Sequence, residues 1–204
     1  MPLFVEQLGA RGHEVEYYAG LGISLSAISA ALLSPVWGSL ADRYGRKPMM
    51  IRAATAMVFT MGGIAFVPNI FWLLLLRFLN GVFAGYVPNS TALIASQAPK
   101  EKTGYALGTL STGVVAGNLM GPFIGGLIAE MFGIRNVFLL IGGFFLVAAL
   151  MTFYLIREDF VPVTRQEEVG FRELLRQLRY PMMLINLFLT SFVIQFAAQS
   201  ISPI

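Results

Sequence analysis

Gly38-Ser39-Leu40-Ala41-Asp42-Arg43-Tyr44-Gly45-Arg46-Lys47 is a short charged stretch set between two long apolar runs, Tyr17 to Leu40 and Pro48 to Val67. A helix needs about 20 mostly apolar residues to cross the hydrocarbon core of a bilayer. Both runs reach that length, so the stretch reads as a tight turn between two membrane-crossing helices. Its glycines permit a sharp reversal of the chain, and Asp42 closes the first helix beside Arg43, Arg46 and Lys47. A carboxylate in that position can pair with an arginine or with the positive N-terminal end of another helix. Either contact could hold two parts of a helix bundle together and break during a conformational cycle. A lone Asp-Arg pair would fit a generic basic loop equally well; the whole ten-residue string fits a latch.

Outward from this turn the same pattern repeats. Phe71 to Gln97, Thr103 to Met131 and Val137 to Ile156 are three further complete runs, and Pro181 to Pro203 is a sixth that reaches the end of the chain. The runs are too long for barrel strands and do not alternate, so helix is expected throughout and the fold class is all-α transmembrane. Their many Gly, Ala, Ser and Thr residues suit close helix contact in lipid. Composition agrees: 56% of residues are hydrophobic, mean hydropathy is +0.72 and only 12% are charged. A soluble domain carries about 25% charged residues, because its surface must be solvated.

The connections alternate in charge. Arg43, Arg46, Lys47, Arg52, Lys100, Lys102, Arg157, Arg165, Arg172, Arg176 and Arg179 fall on one side, against Arg11 and Arg135 on the other. The positive-inside rule puts the first side in the cytoplasm. The net charge of +3 therefore reflects topology, and no nucleic-acid partner is expected. With no cysteine, disulfides and thiolate metal sites are excluded, and neither metal nor cofactor is expected. The opening Met1-Pro2-Leu3-Phe4-Val5 lacks the basic region and apolar core of a signal peptide. Three parts are expected: a transmembrane bundle over 1–157, a cytoplasmic linker over 158–180 and a truncated helix over 181–204. Within the linker Phe171, Leu174, Leu175 and Leu178 share one helical face, which reads as a hinge helix or one lying on the inner leaflet.

Two further strings carry chemistry. In Leu73-Leu74-Leu75-Leu76-Arg77-Phe78-Leu79-Asn80-Gly81, Arg77 lies roughly 9 Å into its helix at 1.5 Å per residue. A guanidinium at that depth is costly unless it faces the bundle interior, a polar cavity or a carboxylate, or snorkels to the surface. In Gly117-Asn118-Leu119-Met120-Gly121-Pro122-Phe123-Ile124-Gly125-Gly126, small residues recur at four-residue spacing and Pro122 removes a backbone hydrogen bond. A kinked helix with a bare face is expected there. No Gly-rich loop ends in Gly-Lys-Ser/Thr and no serine sits in a nucleophile elbow, so no enzyme is expected.

Taken in order and in their respective spans, the three strings resemble the motifs of the major facilitator superfamily, and within it of the drug:proton antiporters. Asn80 departs from the pattern, standing where glutamine is common. That fold has twelve helices in two six-helix halves built from inverted repeats. The resemblance implies a partial fold: Met1 to Leu8 as the end of the first helix, the five complete runs as helices two to six, and Pro181 onward as the start of the seventh. It implies export of hydrophobic, often cationic drugs across the bacterial cytoplasmic membrane in exchange for protons, by rocking of one half against the other. Lipid, drug-like molecules and protons are the implied partners, and the helices beyond this chain would be needed for activity. The implied roles are a cytoplasmic latch at Gly38, Asp42, Arg43, Gly45, Arg46 and Lys47, proton coupling at Arg77 and Gly81, and gating at Gly117, Gly121, Pro122, Gly125 and Gly126. The coupling carboxylate is expected at Asp42 or in a helix beyond this chain. Polarity and aromaticity nominate Phe83, Tyr86, Asn89, Asn118 and Met120 as pocket lining. A facilitator for another solute, or a non-transporting remnant, are the alternative expectations.

Overall fold

The first long helix begins at His13, just after a glycine turn, and runs without interruption to the charged string that ends it at Tyr44. A computed structural model describes residues 2–158 and residue 160. The expected amphipathic face at Phe171 to Leu178 and the expected helix from Pro181 lie outside the described residues. Within them the elements are α1 (Pro2–Gln7), α2 (His13–Tyr44), α3 (Arg46–Ile64), α4 (Ile70–Val82), α5 (Tyr86–Gln97), α6 (Thr103–Phe132) and α7 (Ile134–Leu155). All regular structure among the described residues is helical.

Among the described residues four stretches are long and apolar enough to cross a membrane: His13–Tyr44, Ile70–Gln97, Thr103–Phe132 and Ile134–Leu155. The fifth expected span, α3, has membrane length but carries Arg46, Lys47 and Arg52. Its position explains the weaker apolar signal. It packs against α2, α4, α5 and, most extensively, α7. Met50, Ala53, Ala54 and Ile64 are buried there by protein. A helix covered by its neighbours has less need of an apolar surface than one facing lipid.

Small residues set the closest helix crossings, as expected where van der Waals packing drives association in lipid. A Cβ added to Gly142 of α7 would lie 3.2 Å from the Gly62 Cα of α3. Gly81 of α4 sits directly against the Ser26 carbonyl and the Ser29 hydroxyl of α2. The two serines stitch that crossing: Ser26 Oγ donates to the Arg77 carbonyl at 2.7 Å, and Ser29 Oγ to the Phe78 carbonyl at 3.1 Å. At the end opposite the charged turn, Phe4, Val5, Ile64, Val67, Leu73 and Phe138 form an apolar cluster. The Phe4 and Phe138 rings stand 5.0 Å apart. Asn69 caps α4 there, its side chain accepting the Trp72 N–H at 3.2 Å. By contrast α6 lies on the outside of the bundle, against α5 and α7, with none of its residues buried.

One expected span is not a single helix. The run Phe71 to Gln97 is interrupted between Val82 and Tyr86, dividing it into α4 and α5. Gly85 makes the break possible: its φ of +132° is one that side-chain-bearing residues rarely adopt.

Candidate functional site

The charged turn is built from the ends of three helices. Gly45, at φ +99°, separates the last residue of α2 from the first of α3. Its own backbone N–H donates to the Ala41 carbonyl at 2.9 Å, closing α2. Across the turn Arg46 forms an ion pair with Asp42. Lacking a side chain, Gly45 cannot cap α3, and a helix start leaves N–H groups in need of acceptors. The carboxylate of Glu158, beyond the end of α7, supplies them: the N–H groups of Arg46 and Lys47 donate to it at 2.6 and 2.7 Å. Lys47 reaches back in the other direction, its Nζ donating to the Phe153 carbonyl of α7 at 2.9 Å. A Cβ on Gly45 would fall 2.8 Å from Glu158 Oε2, so this position needs glycine for space as well as for conformation. Arg43 is exposed and Gly38 lines a cavity behind the turn.

Magnitudes separate these contacts. Asp42 is 51% exposed, and such surface pairs contribute about 0–1 kcal/mol. Hydrogen bonds to a charged group contribute about 1.5–3 kcal/mol each. Glu158 is thus the stronger tie, and sequence reasoning missed it. It was visible only as the first carboxylate after an apolar run.

Arg77 turns toward α2, its Cγ lying 3.7 Å from where a Cβ on Gly22 would stand. Gly81, one turn on, is the point where α2 and α4 come closest. Asn80 donates to Thr60 Oγ1 of α3 at 3.3 Å. The three residues therefore bind α4 to both of its neighbours.

Behind the charged turn, α2 and α5 enclose a cavity of about 350 Å³. Ser34, Trp37 and Gly38 line it from α2, Arg46 from α3, and Gly85 and Asn89 from the helix break and α5. Of the five nominated pocket residues, Asn89 lines this cavity. Its amide donates to the Gly85 carbonyl at 2.8 Å. Phe83 lies alongside Trp37, ring centroids 6.3 Å apart. Tyr86 turns instead to α7, its hydroxyl 2.9 Å from Thr152 Oγ1. Asn118 and Met120 are exposed on α6, away from the cavity lining. Trp37 is a lining residue that polarity alone did not single out.

The Gly117 to Gly126 string lies within α6, which continues through Pro122. A Cβ added at Gly117, Gly121 or Gly126 would meet no atom within 4 Å, and at Gly125 only Val137 Cγ1 at 3.8 Å. The bare face is there, and it looks outward from the described residues. Gly126 also lines a cavity of about 420 Å³ at the opposite end of the bundle, together with Glu6 and Glu130. Glu130 lies one residue before the end of its apolar run. Sequence reasoning passed over it as a candidate carboxylate.

The chain matches the Major Facilitator Superfamily over residues 1–204. It is 68% identical over 204 residues to the multi-drug resistance efflux pump PmrA of Streptococcus pneumoniae. It is 51% identical to a PmrA homolog of Lactococcus lactis and 45% identical to the multidrug resistance protein MdtG of Salmonella paratyphi A. Each match covers the whole of this chain and 50–51% of the relative, so the chain spans about half the length of these curated relatives. Its long apolar helices and these relatives make it a multi-pass protein of the bacterial cytoplasmic membrane. With its three motif strings on α2–α3, α4 and α6 and a family match running from the first residue to the last, the chain belongs to the major facilitator superfamily.

Proposed function

We propose that this chain contributes to an efflux transporter that exports hydrophobic drug-like molecules from the cytoplasm in exchange for protons. The observation that carries the reading is the cavity between α2 and α5, which opens directly behind the Asp42–Arg46 turn and is lined by Trp37, Gly85 and Asn89. A mainly apolar recess with one aromatic face and one amide suits an amphiphilic guest. Its position beside a breakable ion pair ties access to the state of the turn. The names of the relatives, multidrug efflux pumps and a multidrug resistance protein, support the same reading.

In this scheme Asp42 and Arg46, held in place by Gly38, Gly45 and Lys47, latch the cytoplasmic end. Arg77 and Gly81 couple transport to protons by fixing α4 against α2. The Gly117 to Gly126 face of α6, with Pro122, seals against helices beyond this chain. Asp42, Glu158, Glu130 and Glu6 are the carboxylates of the described residues that line or border these features.

The test is energised dye efflux from cells stripped of their own pumps. One set expresses this 204-residue chain and another a form extended to the length of the relatives. Gradient-dependent efflux from the extended form, abolished by a protonophore, is the expected result. Efflux that persists after the proton gradient is collapsed would remove proton exchange, and dye retention by both forms would shift the reading to another solute.

A further inference from the structure

The scheme above leaves one interior cation without a role. Arg52 was counted among the charges of the basic end, but it lies in α3 six residues beyond Arg46, roughly 9 Å into the helix. Its guanidinium carbon lies 3.5 Å over the centre of the Trp37 ring. Its Nη2 approaches the carbonyls of Phe83 at 3.4 Å and Ala84 at 3.3 Å. Trp37 completes the set, its Nε1 donating to the Val82 carbonyl at 2.7 Å. Arg52 Nε and Nη1 are buried without a hydrogen-bond partner among the described residues.

The three carbonyls have one origin. In a continuous helix the carbonyls of Val82, Phe83 and Ala84 would accept from the N–H groups four residues on. Those belong to Tyr86, Val87 and Pro88, and proline has no N–H to give. The interruption at Gly85 and the missing N–H of Pro88 together therefore free three consecutive carbonyls inside the bundle. Non-helical backbone at membrane depth is tolerated only where protein or water satisfies it again. Here the acceptors are met by two side chains stacked on each other, one from α2 and one from α3. Trp37 stands five residues before Asp42, and Arg52 six after Arg46. The pair thus straddles the charged turn while gripping the break that forms the cavity wall at Ala84 and Gly85.

We infer that Arg52 and Trp37 form a clasp that holds the interruption between α4 and α5 and carries movement of the charged turn to the cavity wall. Arg52 is a positioning residue, acting on a guest through Gly85 and Asn89 and not by contact. The inference rests on the transport reading for its purpose, but the clasp itself can be read without transport. Trp37 contributes in two ways, as donor to Val82 and as the surface that keeps the guanidinium flat against the break. Charge and planarity both matter in such a grip, so lysine should substitute in part and methionine not at all.

The chain lacks cysteine, which permits a local probe. Ser90, in the first turns of α5, is 7% exposed and faces Met50 of α3. Ser90→Cys is placed in the extended protein, with any cysteine outside these 204 residues replaced by serine, and its labelling by a maleimide is followed in membranes. Arg52→Met is expected to speed labelling by roughly tenfold, as α5 loosens from α3. Trp37→Phe should speed it less, the double variant no more than Arg52→Met alone, and Arg52→Lys by under about twofold. In Arg52→Met and Arg52→Lys, neither of which alters a cavity-lining residue, the KM for dye efflux should rise while the maximal rate holds. Equal labelling in parent and Arg52→Met, or full additivity of the two substitutions, would overturn the clasp. Changed labelling in a protein that moves no dye would leave the clasp standing and overturn the transport reading instead. If Arg52→Met fails to insert, Arg52→Lys and Trp37→Phe still decide: labelling by Trp37→Phe at the parent rate would end the proposal.

Discussion

Replacing Gly81 with alanine tests the packing on which the α4 motif depends. The added Cβ would collide with the Ser26 carbonyl oxygen and the Ser29 hydroxyl, and would lie 2.8 Å from the Ser26 carbonyl carbon. Ser29 could rotate away, but the carbonyl is backbone in the middle of α2 and cannot. The helices must then part by on the order of 1 Å, since a packed interior has no slack of that size. Overpacking of this kind costs about 1–3 kcal/mol. Separation also stretches the bonds from Ser26 to the Arg77 carbonyl and from Ser29 to the Phe78 carbonyl. Interhelical hydrogen bonds in membrane proteins contribute about 0.6 kcal/mol each. Against this, alanine gains roughly 1 kcal/mol of helix propensity over glycine. The net expectation is a loss of about 1–3 kcal/mol. For the extended protein, about twice the length of this chain, that lowers the melting temperature by on the order of 2 °C. Gly143→Ala, in the middle of α7, is the matched control, because a Cβ there meets nothing within 4 Å. It keeps the propensity gain without the collision. The measurement is the fraction remaining monodisperse in detergent after heating, for both variants of the extended protein. Equal midpoints for Gly81→Ala and Gly143→Ala would refute the close crossing of α2 and α4, and with it the account of why glycine stands one turn beyond Arg77.

Substitutions at three other positions follow from the same geometry. Glu158→Gln keeps one acceptor oxygen but loses the charge facing the Arg46 and Lys47 N–H groups. It should lower stability by on the order of 2 kcal/mol, whereas Asp42→Asn, breaking an exposed pair, should lower it by under about 1 kcal/mol while suppressing efflux. Thermal midpoints in the reverse order would show that the turn is held by the ion pair and not by Glu158. Asn69→Ala removes the cap on the Trp72 N–H and should cost about 1 kcal/mol, with Asn69→Ser close to the parent. A serine variant as unstable as the alanine variant would place the loss elsewhere than in the cap.

What could be read from the chain followed the physics that acts locally. Runs such as Thr103 to Met131 and Val137 to Ile156 became α6 and α7 with ends within a few residues, because lipid demands length and apolarity of each segment separately. The charged turn was legible for a similar reason: a glycine at φ +99° flanked by an i,i+4 ion pair is a local construction. Glu158 was not, since it reaches the turn from 112 positions away and only the packing of α7 on α3 brings it there. Arg52 shows the complementary failure. Counted as a charge near a basic loop it serves the topology rule, and nothing in its neighbours reveals that a tryptophan from α2 lies flat against it.

The break between α4 and α5 explains why the sides taken by the nominated pocket residues could not be read from the sequence. Polarity and aromaticity nominate Phe83, Tyr86 and Asn89 together, but they do not say which side of the bundle each residue faces. Gly85 and Pro88 were both visible, yet either can occur in an unbroken membrane helix when neighbouring groups restore the lost bonds. Whether the helix breaks is therefore decided by donors elsewhere, here Trp37 and Arg52. Once it does break, the angular phase carried from α4 is lost at Gly85, and the faces of α5 cannot be counted forward from Arg77. Tyr86, the first residue of the new helix, turns to Thr152 of α7, while Asn89, one turn later, folds its amide back onto the Gly85 carbonyl and meets the cavity. A side chain's polarity says that it needs a partner. Only the phase of the helix that carries it says on which side the partner stands.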